Sequence, residues 1–210
     1  MKLDKRKKYI ITIDTEGQNK IYEIGIIVSD KKGNILLKRN YILNNNIDEV
    51  YNFKSDYIYK KLFQINENIK NENAVVLYSD EDLKQRLLKI IQYFNIKEIY
   101  CFNTLHDKKL LENYINLKIQ WFDIWSIACQ VLGVQKLFKS QAEKTTKGNY
   151  KTNVETFYKY ITQKEYKQSH DALEDAKQEL EILIRCFKNH IKINKSYNQN
   201  CWKIPNQATA

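Results

Sequence analysis

Two carboxylates, Asp14 and Glu16, follow directly on the β-branched apolar run Tyr9-Ile10-Ile11-Thr12-Ile13. Such a run reads as a central strand covered on both faces, and residues two apart on a strand point to the same side. Both carboxylates would then emerge together at the C-terminal end of the strand. Held that close they repel each other unless a cation lies between them, and hard divalent ions such as Mg²⁺ or Mn²⁺ favour oxygen ligands of this kind. Composition alone gives roughly 0.7 D-x-E pairs by chance, and a charged turn after a strand explains the pair equally, so it needs company.

Company comes from two later segments. Ile99-Tyr100-Cys101-Phe102-Asn103-Thr104-Leu105-His106-Asp107 reads as a buried strand, a polar bend and the start of a helix, which leaves Asn103 and Asp107 at the strand's end. An ordinary helix N-terminus, where the dipole favours Asp, would account for Asp107 on its own. In Ser169-His170-Asp171-Ala172-Leu173-Glu174-Asp175-Ala176, Asp171 and Glu174 form a plausible capping box. Asp175 is different, because it falls beside Ala172 and Ala176 on the apolar face, where a carboxylate is costly unless paired or holding a metal. His170 would lie just before the helix, over the same place. H-x-x-x-x-D occurs by chance only roughly 0.16 times here, the more selective signal.

In this order and context the residues resemble the DEDD exonuclease superfamily in its histidine subclass, the DnaQ-like 3′–5′ exonucleases with a ribonuclease H-like fold. The matching stretches are Ile11 to Gly17 with Glu23-Ile24-Gly25, then Asn103 to Asp107, then His170 to Ala176. The resemblance implies an α/β protein with a mixed sheet, a three-stranded antiparallel meander extended by parallel strands, and flanking helices. It implies that Asp14, Glu16 and Asp175 bind one Mg²⁺ or Mn²⁺ ion and that Asp14 and Asp107 hold a second. Two ions roughly 3.5–4 Å apart would stabilise the attacking and leaving oxygens of an in-line displacement at phosphorus. His170 would take the proton from the attacking water. The substrate implied is the 3′ end of single-stranded DNA or RNA, released as nucleoside monophosphates. Backbone around Thr15 and Gly17 would contact the terminal nucleotide, with Asn103 and Lys108 as further substrate contacts. Gly17 stands where a hydroxyl residue is common in the family, and residues 44–73 carry no clear family signature. His106 and the group Trp121, Phe122 and Trp125 could serve as stacking surfaces, although helical spacing near Asp123 favours core packing for the tryptophans. Asp123 itself is suited to cap its helix.

These residues need elements to position them. Ile21 to Val28 and Ile35 to Leu43, joined by the turn Asp30 to Asn34, complete an antiparallel meander with the first strand. Residues 44–73, asparagine-rich, read as irregular to helical and as a variable insertion that shapes substrate access. Val75 to Tyr78 is a short extended segment. A helix capped by Ser79 follows, with Leu83, Leu87, Leu88, Ile91 and Phe94 as its stripe. Leu110, Leu111, Tyr114 and Ile115 mark a helix beginning near Asp107, and Asp123 to Leu132 another, closed by Gly133. Lys144 to Thr152 is a polar lysine-rich loop. Val154, Phe157, Tyr158 and Ile161 start a further helix, and the last runs from about Asp171 to His190. The expected organisation is an exonuclease domain over 1–191 and a tail over 192–210, anchored by Trp202.

Composition bounds the alternatives. With 210 residues, one proline, five glycines and 43% hydrophobic content, collagen-like and disordered classes are excluded. The formal charge is +10 from 35 Lys+Arg against 25 Asp+Glu. Only Arg6, Arg39, Arg86 and Arg185 are arginines, which suits gripping of a phosphate backbone more than reading of bases. Lys108-Lys109 and the Lys144 to Lys151 loop are candidates for that role. Cys101, Cys129, Cys186 and Cys201 lie far apart without a C-x-x-C pair, which points to reduced thiols and a cytoplasmic setting rather than structural zinc. No run reaches the roughly 20 apolar residues of a membrane span. A catalytically silent module of the same fold that grips nucleic-acid ends is the alternative function. Retention of all four acids and the histidine argues against it.

Overall fold

The computed structural model describes residues 7–112, 114–115, 118–189, 193 and 200–204. Its centre is a six-stranded mixed sheet built from β1 (Tyr9–Glu16), β2 (Glu23–Asp30), β3 (Ile35–Leu43), β4 (Val75–Leu77), β5 (Glu98–Cys101) and β6 (Gln120–Asp123). The order across the sheet is β4-β3-β2-β1-β5-β6. β1, β2 and β3 pair antiparallel, while β4, β5 and β6 are added parallel at the two sides. The meander extended by parallel strands is therefore present.

Alternation along β1 divides the core. Ile11 and Ile13 belong to one apolar cluster with Leu83, Leu87 and Ile91 of α2 (Asp80–Tyr93) and Leu110 and Leu111 of α3 (Thr104–Leu111). Ile10 faces the other way, into a cluster with α4 (Ile124–Val131) and the long terminal helix, with contributions from the helices between them. Those intervening helices are α5 (Lys136–Gln141) and α6 (Val154–Thr162), and the terminal one is α7 (Ala172–Lys188). By the same parity Asp14 and Glu16 emerge on the α7 face and Thr15 on the α3 face.

Residues 44–73 are ordered as a 3₁₀ helix over Asn44–Asn52 and a helix of 16 residues, α1 (Ser55–Lys70). Ile58, Leu62 and Ile65 of α1 close a third apolar cluster on Tyr22, Ile42 and Val50. One boundary expected from the sequence is corrected, and two further elements are added. The helix carrying Asp107 begins at Thr104, because Asn103 in a left-handed conformation (φ 63°) ends the strand abruptly. β6 places the aromatic residues Trp121 and Phe122 in a strand, and α5 is a short helix of six residues. The capping expectations are met: Ser79 accepts from the Asp82 N–H, Asp123 from Ser126 and Asp171 from Glu174.

All four cysteines are buried, free thiols. Among the described residues no helix is long and apolar enough to cross a membrane. Of the expected tail, residues 193 and 200–204 are described. They include Trp202, which is half-buried. The rest, like Met1 to Arg6, lies outside the described residues.

Candidate active site

The C-terminal end of β1 delivers Asp14 and Glu16 to a cleft under the first turns of α7. Proximity of strand and helix depends on Gly25, which pairs with Asp14 across the β1–β2 ladder. A Cβ on Gly25 would lie 2.0 Å from the Ala172 carbonyl oxygen. Only a hydrogen at that position lets α7 start against the sheet, and this brings Asp175, one turn in, over the two strand acids.

Ligand atoms of Glu16, His170 and Asp175 all lie within 4.8 Å of one another. Asp175 is fully buried. Its Oδ1 accepts from the Tyr166 hydroxyl at 2.9 Å and from Ser169 Oγ at 3.3 Å, whereas its Oδ2 is buried with no hydrogen-bond partner. His170 has a left-handed backbone (φ 56°) and an exposed ring. Its Nδ1 is 3.8 Å from Glu16 Oε1. Glu16 Oε2 accepts from the Tyr57 hydroxyl at 3.1 Å, and the Tyr57 ring meets the imidazole edge-on at 5.5 Å between centroids.

Asp107 approaches from the opposite side of the strand. Its Oδ1 accepts both the Thr15 backbone N–H at 3.0 Å and the Thr15 hydroxyl at 2.6 Å. The turn that presents it is held by Asp123, which accepts the N–H groups of Asn103 (2.9 Å) and Thr104 (3.2 Å) while capping α4. Asp123 thus joins the end of β6 to the start of two helices.

The electrostatics are those of crowded, buried acids whose mutual repulsion and desolvation exceed what Lys61 offsets. Burial raises Asp14 well above the ordinary carboxylate range, and the nearby charges of Glu179, Asp107, Glu16 and Asp175 add to it. Loss of hydration lifts Glu16 to about 7 against the opposing pull of Lys61. Asp107 also rises to about 7 through burial, in spite of its bonds to Thr15. Asp175 is raised for the same first reason. The set suits a divalent cation: its acids repel one another, and the bare Oδ2 of Asp175 is a buried acceptor that lacks a donor.

Four participants carried no assigned role in the sequence reading. Glu179, one turn beyond Asp175 on α7, is buried, accepts the Phe102 N–H at 3.2 Å and is held well above its ordinary value by burial and by Asp107. The H-x-x-x-x-D spacing could have been extended by one turn to reach it. Glu23 stands directly opposite Glu16 in the ladder. Lys61 of α1 is buried between them, paired with the Glu23 carboxylate and donating to the His170 carbonyl. Tyr57 lies one turn earlier on the same helix. The stripe Ile58, Leu62 and Ile65 was the available signal for that helix, though nothing local tied it to the acids.

The remaining candidates fall as follows. Thr15 spends its N–H and hydroxyl on Asp107. Gly17 (φ 149°) sits in a turn where a Cβ would meet the Lys20 carbonyl oxygen at 1.9 Å. Asn103 is exposed at the head of α3, and Lys108 is half-buried, 3.7 Å from Glu112. His106 bonds the Gly17 carbonyl, and partial desolvation of its ring, which is otherwise exposed, holds it below an ordinary histidine. Trp121 packs on one core, as expected of the tryptophans, and Phe122 on the other. Trp125 packs too, with its indole N–H donating to Thr152 Oγ1 at 3.0 Å.

No family model matches the sequence, and no curated protein matches it. Solved structures of E. coli exonuclease I do resemble the fold. The complex with a dA16 oligonucleotide superposes with a TM-score of 0.53 at 10% identity, covering 87% of this chain and 42% of that one. The complex with a 5cy-dT13 oligonucleotide gives 0.53 at 11% identity with the same coverage. The complex named ExoI/SSB-Ct gives 0.52 at 11%, covering 87% and 43%. This chain therefore spans less than half the length of those proteins, and the likeness is one of fold: a ribonuclease H-like mixed sheet with flanking helices.

Proposed function

We propose that this ribonuclease H-like chain is a metal-dependent 3′–5′ exonuclease of the histidine subclass, which shortens single-stranded DNA or RNA and releases nucleoside monophosphates. The observation that carries the reading is the convergence of Glu16, His170 and Asp175 within 4.8 Å, with Asp175 Oδ2 buried and unpartnered. Asp14, Glu16 and Asp175 would hold one Mg²⁺ or Mn²⁺ ion, and Asp14 with Asp107 a second. Such ions supply charge stabilisation to the attacking and leaving oxygens at phosphorus.

The chain's own groups do the rest. His170, exposed at the mouth of the cleft, takes the proton of the attacking water as general base. Tyr57 fixes Glu16 by its hydroxyl and the imidazole by its ring edge, so acid and base keep their spacing. Thr15 orients Asp107 through two bonds to one oxygen, Oδ1. Gly17, Asn103 and Lys108 would serve as substrate contacts, as would the backbone around Thr15, although the Thr15 N–H itself is committed to Asp107. The oligonucleotide-bound exonuclease I structures of the same fold support a single-stranded substrate.

The test is digestion of single-stranded DNA and RNA side by side with Mg²⁺ or Mn²⁺. Hydrolysis is expected to stop with chelator and with Asp175→Asn. Hydrolysis that persists in chelator would refute the metal assignment.

A further inference from the structure

Beside the acid cleft lies a cavity of about 610 Å³, within the range of roughly 300–1,000 Å³ typical of ligand sites. Its walls bring together aromatic rings from four separate places: Phe102 of the β5–α3 turn, Trp125 of α4, Tyr150 of the lysine-rich loop and Trp202 of the C-terminal segment. It adjoins the cleft directly, because Phe102 donates its N–H to Glu179 and Asn103, also in the wall, heads the helix that carries Asp107. The Trp125 ring is preset by its bond to Thr152.

The rim over this cavity is a small hairpin. Lys144 and Tyr150 bridge its ends, Thr145 receives the Gly148 N–H and donates to Asn149, and Lys147 and Gly148 (φ 79°) form its tip. Lys151 is neutralised by Glu143, but Lys147 forms no ion pair among the described residues. Lys144 lies over the Tyr150 ring at 5.2 Å and Lys203 over the Trp202 ring at 5.3 Å to the centroid, and with Lys147 in the wall this set of aromatic rings and cations matches a base and its phosphate, since every base offers a π-face for stacking and every linkage an anion.

We propose that this cavity is a second subsite for single-stranded nucleic acid, in which a nucleobase upstream of the scissile end stacks on Trp202 and Trp125 while Lys147 holds its phosphate. The assignment extends the exonuclease reading and rests on it for the nature of the strand. It gives the lysine-rich loop and the C-terminal segment one shared task, that of retaining the strand between successive cleavages.

The test is binding without turnover, using the full chain with Asp14→Asn and strands of about 12 nucleotides, one of DNA and one of RNA, followed by anisotropy and tryptophan emission. Trp202→Ala is expected to weaken binding roughly tenfold, and Trp202→Phe to recover most of that loss. Lys147→Glu is expected to weaken binding several-fold and to reduce the slope of log affinity against log salt by at least about 0.7. Its position at the hairpin tip keeps the test valid should Trp202→Ala fail to fold. Affinities of these variants within twofold of the parent for both strands would overturn the subsite, as would thymidine monophosphate binding as tightly as the strand. Trp202-dependent binding by a native protein that hydrolyses nothing would keep the subsite and retire the nuclease reading. Hydrolysis with Trp202-independent binding would do the reverse.

Discussion

Lys61 is the residue on which the geometry of the histidine depends. Its side chain is 1% exposed and that of Glu23 is 0%. Burial alone would disfavour the ammonium, but Glu23 and Glu16 outweigh it and hold Lys61 above an ordinary lysine. The same group donates to the carbonyl of His170, whose positive φ has to be held by its surroundings. Removing one member of a buried pair leaves the other uncompensated, at a cost of about 3–5 kcal/mol. Lys61→Met is therefore expected to lower stability by that amount in urea unfolding, with most of it regained in Lys61→Met/Glu23→Gln. A double variant as unstable as the single one would show that Lys61 acts through packing and not through charge. The five residues proposed for metal or base roles stand out in the sequence because each belongs to a local motif. Lys61, Tyr57 and Glu179 do not, since their partners are distant in sequence or lie on an unsuspected turn.

At the level of elements, the site exists because α7 starts on top of β2. The apolar stripe and the Asp171 cap made α7 legible in full, and the continuous β-branched apolar run did the same for β1. How closely the two approach is set by Gly25, whose need for a bare Cα is a tertiary fact. Gly25→Ala would drive a methyl group into the Ala172 peptide. It is expected to cost about 3 kcal/mol or more, at or beyond the usual upper end for overpacking, and to abolish metal binding measured by calorimetry. Gly148→Ala is the contrast: Gly148, unlike Gly25, has a positive φ (79°) but open space around it, so about 1–2 kcal/mol is expected and metal binding is retained. Equal losses in the two variants would contradict the close-approach argument. α1 and β6 were less legible for different reasons. α1 is diluted by asparagine, and β6 is four residues long and defined mainly by its pairing to β5.

At the level of the whole molecule, crowding of acids ties stability to pH and to cations. Glu16 and Asp107 rise to about 7 from 4.5 and 3.8. Native values raised above unfolded ones mean stability fully present below about pH 4 and lost as the pH climbs through about 7. The melting temperature of metal-free protein is accordingly expected to fall between pH 5 and pH 8, and to fall less in Asp14→Asn. Mg²⁺ or Mn²⁺ should raise it by several degrees at pH 8 and little at pH 5, because the cation binds the ionised acids of the folded state. A melting temperature unaffected by metal at pH 8 would contradict a shared cation site. On the proposed function the +10 charge would act at the same scale, favouring the approach of a phosphate backbone to the acids.

The most direct test of the central claim is digestion of a 5′-labelled single-stranded oligonucleotide in Mg²⁺ or Mn²⁺, resolved nucleotide by nucleotide, with the released products identified. The expected result is a ladder shortening from the 3′ end with nucleoside monophosphates as products, absent with chelator and with Asp14→Asn. A folded, metal-binding protein that leaves both DNA and RNA strands at full length would contradict it.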